Sequence, residues 1–487
     1  MGTRASFSRR QLLETAGAVS LGALLPGDAS AQAAPPGMIT EPARQIPVVA
    51  ECELCVIGGS ATGVFAAVAA ARLGASVVLV ENLGLLGGVA TGSLVNIWHS
   101  VYDTAHERQI IGGLSTELID RLKRRDAVNV HEKRPSQYFV FNPAEMTIEL
   151  DELVREAKVE LRLHTRFVAP IVEAGRVVAA VIEDKTGRRA IRARAFIDAT
   201  GDGDLVARIP LATRRDAMIQ PPTTCAIVFG LDAIARQNKG FNLAKTVTDP
   251  QYPNALKNGF LWSAEVPGLP GARMIAGTRV HGADCSRAED LTRAELEGRR
   301  QIRAICDIVR EHVPGGKALG LATLPARIGL RESRHAVCLH TLTEQEVLGG
   351  HRFPDAIANG TYPVDVHHSD KPGVTFRYLD GTERYAVPGK KVEERRWRPT
   401  TAENPTFYQI PYRSLVPRGS TNVLVAGRLL DADRGAFGAT RVMINCNQMG
   451  QAAATAAVLA LRNGCSVADV APDQLRRLLT EQGALVI

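Results

Sequence analysis

Gly58, Gly59, Ser60 and Gly63 stand between an apolar run and an alanine-rich segment, and a carboxylate, Glu81, follows 18 residues after Gly63. Small residues at that spacing let a backbone close on a diphosphate, whose charge rests on N–H groups and on the positive end of a new helix. A carboxylate at that distance can take a ribose hydroxyl. The chemistry indicated is dinucleotide binding. The usual pattern carries glycine where Ser60 stands; serine is small, and is read as a tolerated change that tightens the pocket slightly. The alternative is an ordinary glycine-rich turn in a parallel sheet.

The elements around these residues favour the dinucleotide. Leu54 to Ile57 reads as a buried parallel strand, Val64 to Leu73 as an alanine-rich helix stopped by Gly74, and Val77 to Val80 as a second strand, which together make one βαβ unit. A second glycine-rich loop, Asn82 to Gly92, carries Gly87 and Gly88. Residues 93–142 read as irregular apart from a short helix ending over Ile119 to Arg125, and Pro143 to Ala157 as an amphipathic helix. Hairpins then lead to Phe196-Ile197-Asp198-Ala199-Thr200-Gly201, a buried strand ending in a small-residue turn. Asn422 to Arg428 repeats that pattern. Met449 to Asn463 reads as an alanine-rich helix with Gly450, Gln451, Ala452 and Ala453 in its first turn. Turns at 58, 201 and 427 would share the carboxyl edge of an open sheet, where ligands bind.

From about Arg214 to Thr406 the texture changes to more Pro, Arg and aromatic residues with one clear helix, Arg293 to His312, and reads as an insertion. The expected organisation is a signal peptide over 1–31, a linker over 32–50, a dinucleotide-binding domain over 51–213 and 407–487, and an α+β substrate or cap domain over 214–406. Ser8-Arg9-Arg10-Gln11-Leu12-Leu13 resembles the twin-arginine export signal, and Ala29-Ser30-Ala31 supplies an A-x-A cleavage site. The alternative is a tail with a chance arginine pair. The formal charge of +7 comes from basic residues that are spread along the chain, which argues against a nucleic-acid surface. Eight cysteines show no zinc-type pairing, and no metal site is expected. Cys52 and Cys55 lie three residues apart on a strand and point to opposite faces, beyond disulfide reach.

Together these motifs resemble the FAD-dependent oxidoreductases of the glutathione-reductase-like fold, more narrowly a family related to heterodisulfide reductase. The resemblance is carried by Val56-Ile57-Gly58-Gly59 with Gly63 and Glu81, Leu86-Gly87-Gly88, Ala199 to Asp204, Gly329-Leu330-Arg331-Glu332-Ser333-Arg334, Ile410-Pro411-Tyr412, Val425-Ala426-Gly427-Arg428 and Arg441 to Ala453. It implies an α/β fold with an FAD/NAD(P)-binding Rossmann-like domain, and FAD as cofactor. Gly58, Gly59, Ser60 and Gly63 would hold the pyrophosphate and Glu81 the adenosine ribose. Gly87 and Gly88 would line the pyrophosphate and ribitol side, Val168 would contact adenine, and Thr200 and Gly201 would close over the nucleotide. Gly427 and Arg428 would pass the ribitol, and Gly450, Gln451 and Ala452 would begin a helix aimed at the flavin ring.

A flavin that accepts hydride from a C–H bond needs a base for the paired proton. His367, two residues from Asp365, is the first candidate, and His99 the second; the alternatives are polar loop histidines. Arg331 and Arg334 could hold an anionic substrate, or could be salt-bridged to Glu332 nearby. Tyr412 is either a neighbour of the flavin or a core residue. The leading expectation is a periplasmic or secreted enzyme, carried by the twin-arginine translocase, that oxidises a sugar, polyol or acid and passes electrons to a quinone, a carrier protein or oxygen. The competing readings are a flavin reductase with an outside donor and a non-catalytic flavin-binding protein. No second dinucleotide motif points to NAD(P)H.

Overall fold

The computed structural model describes residues 37–133, 136–257, 261–387 and 390–487. The chain divides into Met1–Gln45 and Ile46–Ile487. The segment read as an export signal lies outside the described residues. Residues 37–47 carry no helix or strand, and the first strand starts at Val48, inside the stretch read as linker.

The compact unit is organised on a seven-stranded sheet. Strand β1 (Val48–Ile57) emerges from exposed positions and ends in four buried residues, Leu54 to Ile57. Helix α1 (Ala61–Arg72) crosses to β2 (Val77–Val80), which pairs parallel to β1. On the other side of β1 lies the strand Gly187–Asp198, also parallel. Its first half pairs with Arg176–Asp184, and its last three residues pair instead with Val423–Val425. The register brings the strand ends level: Ile57 faces both Val80 and Asp198, and Asp198 faces Val425. Three turns far apart in sequence therefore open at one carboxyl edge.

Alanine in α1 lets it lie flat against its neighbours. Ala61 to Ala70 are all buried, and α1 packs on the long helix Met443–Asn463, so close that a Cβ on Gly450 would stand 2.1 Å from the Thr62 carbonyl oxygen. Gly450 is thus a helix-contact residue.

Residues 93–142 hold the expected short helix, Leu114–Lys123, and, where the rest was read as irregular, an antiparallel sheet in the order Ile97–His99, Ser136–Phe141, Val128–Lys133. Ile97–His99 is too short to show a period, whereas the other two strands, of six residues each, are passed over by the irregular reading. Between Thr213 and Pro411 the strands pair antiparallel. One four-stranded sheet runs Trp262–Glu265, Ala272–Ala276, Cys225–Phe229, Gly320–Thr323, and another joins Val364–His367 to Val374–Arg377, Thr382–Ala386 and Glu393–Arg396. The first is covered by the helix Ala288–His312, which begins five residues before the expected Arg293; Ile302, Ile305 and Val309 on one face pack against Ala226, Val228 and Ile275. Among the described residues no helix is long and apolar enough to cross a membrane, and all eight cysteines, Cys52 and Cys55 included, are free thiols.

Candidate functional site

The turn after β1 is held by contacts that only small residues permit. Gly58 has φ +104°, and a Cβ there would lie 2.6 Å from the Ala199 carbonyl oxygen. Gly63 faces away from the open edge, and its Cβ would lie 1.8 Å from the Gly58 carbonyl oxygen. It sets how closely helix packs on strand and is not part of the cavity wall. Ser60 is the N-cap of α1: its backbone is extended, its hydroxyl accepts from the Gly63 N–H at 3.4 Å, and the first turn of α1 carries no acidic residue. The helix end is left positive toward the cavity.

Glu81 ties the two glycine loops together. One carboxylate oxygen accepts from the Gly59 N–H at 2.7 Å and the other from the Leu83 N–H at 2.7 Å, while the Gly87 N–H donates to the Gly59 carbonyl at 2.8 Å. Each carboxylate oxygen keeps a lone pair for a ribose hydroxyl. Gly88, with φ +59°, passes so close to Ser60 that a Cβ would meet its Cβ at 2.8 Å. On the neighbouring strand end Asp198, wholly buried, accepts from the N–H groups of Thr200, Leu205 and Val206 and from the Thr200 hydroxyl at 2.7 Å. Burial raises its carboxyl to about 6 against those bonds. The Arg428 guanidinium lies under Gly201 and bonds Asp202 at 3.2 Å, and its Nη1 is buried without a partner among the described residues.

These turns line one cavity of about 340 Å³. Gly58, Ser60, Glu81, Gly87, Gly88, Thr200, Gly201, Gly427 and Arg428 all contribute to its wall. Gly59 and Gly63 stand behind it. Val168 does not reach it: it sits at a bulge of the outer hairpin, between the pairs Phe167–Ile182 and Ala169–Val181. Gly450, Gln451 and Ala452 do not reach it either. Their helix starts at Met443, six residues earlier than the expected Met449, so they lie deep in the helix, with Gln451 facing Leu114. The residues at the cavity are those of the true first turns, Met443, Cys446 and Asn447. Asn447 is buried, and neither of its amide atoms has a partner among the described residues. Tyr412 is a core residue whose hydroxyl donates to the Val467 carbonyl at 2.7 Å.

The far end of the same cavity is polar. Asp365 accepts from the Tyr362 hydroxyl at 2.8 Å and from Arg441 at 3.0 Å, and its other oxygen lies 3.4 Å from His367 Nε2. Burial opposes charge on Asp365, but His367, Arg441 and the Tyr362 hydroxyl outweigh it and hold the carboxyl below its usual range. Burial, with Arg331 and Arg279 nearby, pushes His367 well below the ordinary histidine value, so its imidazole is neutral. His99 packs against Tyr362 with the rings tilted by 38° and their centroids 4.1 Å apart, and burial lowers it to about 4. Arg331 lines the cavity, whereas Arg334 bonds the Asp202 and Ser286 carbonyls and does not. His368 bonds Thr375 instead. Arg279, Tyr362 and Thr223 are cavity residues that the sequence does not single out, each on a separate segment, whereas Arg441 and Asn447 fall within the Arg441 to Ala453 motif, which gives neither of them a role.

His99 gives a pH prediction. It ionises near 6.5 when unfolded and near 4 here, so the unfolded chain binds the extra proton between these values. Its stabilisation is complete above about 6.5 and is lost as pH falls toward 4. Urea denaturation across that window should show a shallower loss of stability for His99→Gln than for the parent chain.

A parallel sheet with a glycine turn, a capped helix and a ribose-side carboxylate at its carboxyl edge defines a Rossmann-like dinucleotide-binding protein. Residues 53–479 match the family model described as FAD dependent oxidoreductase; the chain belongs to that family, and its cofactor is FAD. Among curated proteins it is similar to the mitochondrial dihydrolipoyl dehydrogenase of Schizosaccharomyces pombe, 29% identical over 163 residues, which are 31% of this chain and 28% of that protein. The chain thus spans little more than a quarter of the length of that relative. Among solved structures it is similar to a geranylgeranyl bacteriochlorophyll reductase-like protein from Thermoplasma acidophilum (13% identity, TM-score 0.45, 89% of this chain and 83% of the other). It is likewise similar to p-nitrophenol 4-monooxygenase from Pseudomonas putida DLL-E4 (12% identity, TM-score 0.41, 89% and 84%). The residues present fit FAD: the buried Arg428 Nη1 and both amide atoms of Asn447, which have no partner among the described residues, offer polar atoms to a ligand.

Proposed function

We propose that the protein is an exported FAD-dependent dehydrogenase or oxidase that removes hydride from a small organic donor and passes the electrons to a quinone, a carrier protein or oxygen. The observation behind this reading is one cavity lined at one end by the dinucleotide cradle and at the other by His99, Tyr362, Asp365, His367 and three arginines. FAD supplies the hydride-accepting ring when bound. Gly58, Ser60, Gly88 and the α1 terminus would hold its diphosphate, Glu81 its ribose, and Asn447 and Arg428 its remaining polar edges. The chain's own part is proton handling and shielding. Asp365 beside Nε2 favours the tautomer with the proton there, which leaves Nδ1 of the neutral His367 as the proton acceptor for a donor's O–H or N–H. Trp262, Phe376 and Ile97 line the same cavity and keep water from the reacting groups.

Export rests on the Arg9-Arg10 motif and the Ala29-Ser30-Ala31 site. Replacing both arginines with lysine should leave the protein in the cytoplasmic fraction; unchanged export would remove this part of the proposal. The reaction is tested by steady-state reduction of a dye acceptor with sugars, polyols and acids as donors. Dye reduction that needs an organic donor supports the proposal, whereas reduction with NADH or NADPH alone replaces it with a reductase.

A further inference from the structure

Among the described residues, the polar end of the cavity carries more positive charge than its carboxylates neutralise. Arg279, Arg331 and Arg441 line it against one carboxylate of that cluster, Asp365, an excess of 3 − 1 = 2 positive charges with both histidines neutral. Asp365 is committed to Arg441 and Tyr362. Glu332, next to Arg331 in sequence, turns elsewhere: it accepts from the Gln220 N–H at 3.0 Å and faces His335 at 3.6 Å. Among the described residues no carboxylate forms a salt bridge with Arg331. Its Nη1 donates to the Pro221 carbonyl at 2.6 Å and to the Thr223 hydroxyl, and its Nε and Nη2 make no hydrogen bond to the described residues.

Thr223 carries a second load. The same hydroxyl oxygen accepts from Arg279 Nη1 at 2.8 Å, so one side chain holds two guanidiniums side by side. Arg279 is further fixed by the Thr278 carbonyl at 2.7 Å. Two like charges held this way repel each other and lose hydration, a cost that an anion between them offsets. Burial and this mutual repulsion lower Arg331 well below the ordinary arginine value, and burial above all lowers Arg279 to about 10. The planar fork of a guanidinium matches a carboxylate with two parallel hydrogen bonds.

We propose that Arg331 and Arg279, joined through Thr223, bind a carboxylate of the substrate, so that the donor is a small organic acid rather than a neutral sugar or polyol. This rests on the reading that a donor occupies the cavity beside the flavin. Arg331 provides the open face of the subsite, Thr223 fixes the spacing, and His367 stands on the same wall to take the proton.

The test is calorimetric titration of the flavin-loaded protein with lactate and succinate, against methyl lactate and propane-1,2-diol as uncharged matches and inorganic phosphate as a second anion. At least one acid should bind roughly tenfold or more tightly than the uncharged compounds, and Arg331→Gln should weaken that binding roughly 10- to 100-fold with flavin absorbance unchanged. Thr223→Val should weaken it less. Equal binding of acids and uncharged matches, no binding of either acid, or binding of phosphate alone would overturn the carboxylate subsite. Release of flavin by Arg331→Gln would also overturn it, by assigning that guanidinium to the cofactor. Failure of the functional reading shows separately: acids would bind, and the bound flavin would never be reduced by any donor.

Discussion

Gly63→Ala should purify without its flavin and with a destabilised fold. The new methyl carbon would stand 1.8 Å from the Gly58 carbonyl oxygen, a backbone atom that no rotamer change can move aside. To relieve the clash, α1 must lift from β1 or the turn must open. Either move disrupts the Gly58 backbone and the N-terminal groups of α1 that face the diphosphate. Overpacking of this kind costs about 1–3 kcal/mol even where side chains can yield, and more against fixed backbone. Because the loss could be a general folding failure, a milder neighbour separates the effects. Gly88→Ala puts a Cβ 2.8 Å from Ser60 at φ +59°, a backbone region that alanine enters at a cost of roughly 1–2 kcal/mol. It should keep a folded protein and lower flavin occupancy. Gly320→Ala, where a Cβ meets nothing within 4 Å, should behave as the parent chain. Flavin-to-protein absorbance ratios and thermal unfolding measure all three, and a yellow, fully loaded Gly63→Ala would refute the assignment of this turn.

The second large effect belongs to His367. His367→Gln keeps a polar side chain of similar reach and removes the proton acceptor, so flavin reduction by the donor should slow by roughly 10²–10⁴-fold with flavin loading unchanged. Asp365→Asn should slow it less directly, through loss of imidazole orientation and the Arg441 partner, with Tyr362 still able to bond the amide oxygen. Since burial and the neighbouring guanidiniums hold His367 well below 6.5, the parent enzyme's reduction rate should stay level as pH falls through 6.5 and decline only below it. An inflection at 6.5 that disappears in His367→Gln would contradict the buried, neutral imidazole. A reduction rate untouched by His367→Gln would remove the residue from the proton path.

Much of the cradle is legible in the chain because its determinants are local. Strand, turn, helix and strand from Leu54 to Glu81 lie within one stretch, and the periods and small residues mark each element in turn. The register that sets Ile57, Asp198 and Val425 level is not local, yet three similar strand ends foreshadow it. What sequence places wrongly has physical causes. The alanine run at 452–457 hides six helical residues before Met449, because Asn445, Cys446 and Asn447 carry no helix signature of their own. Gly63 reads as a ligand glycine, but its neighbour is the Gly58 carbonyl. Arg279, Tyr362 and Arg441 join the site through long-range packing that no spacing encodes. His367 is within reach because Asp365 stands two residues away on the same strand, so that both side chains face one side.

Anaerobic reduction of the bound flavin tests most directly whether cofactor and donor share one cavity. The purified protein should be yellow, and its flavin absorbance should bleach on addition of an organic donor in the absence of oxygen and should stay unchanged with NADH or NADPH. Bleaching by a donor with the parent chain, and a strongly slowed bleaching with His367→Gln, would place cofactor and substrate together there. A colourless protein, or a yellow one that bleaches only with NADH or NADPH, would contradict that placement.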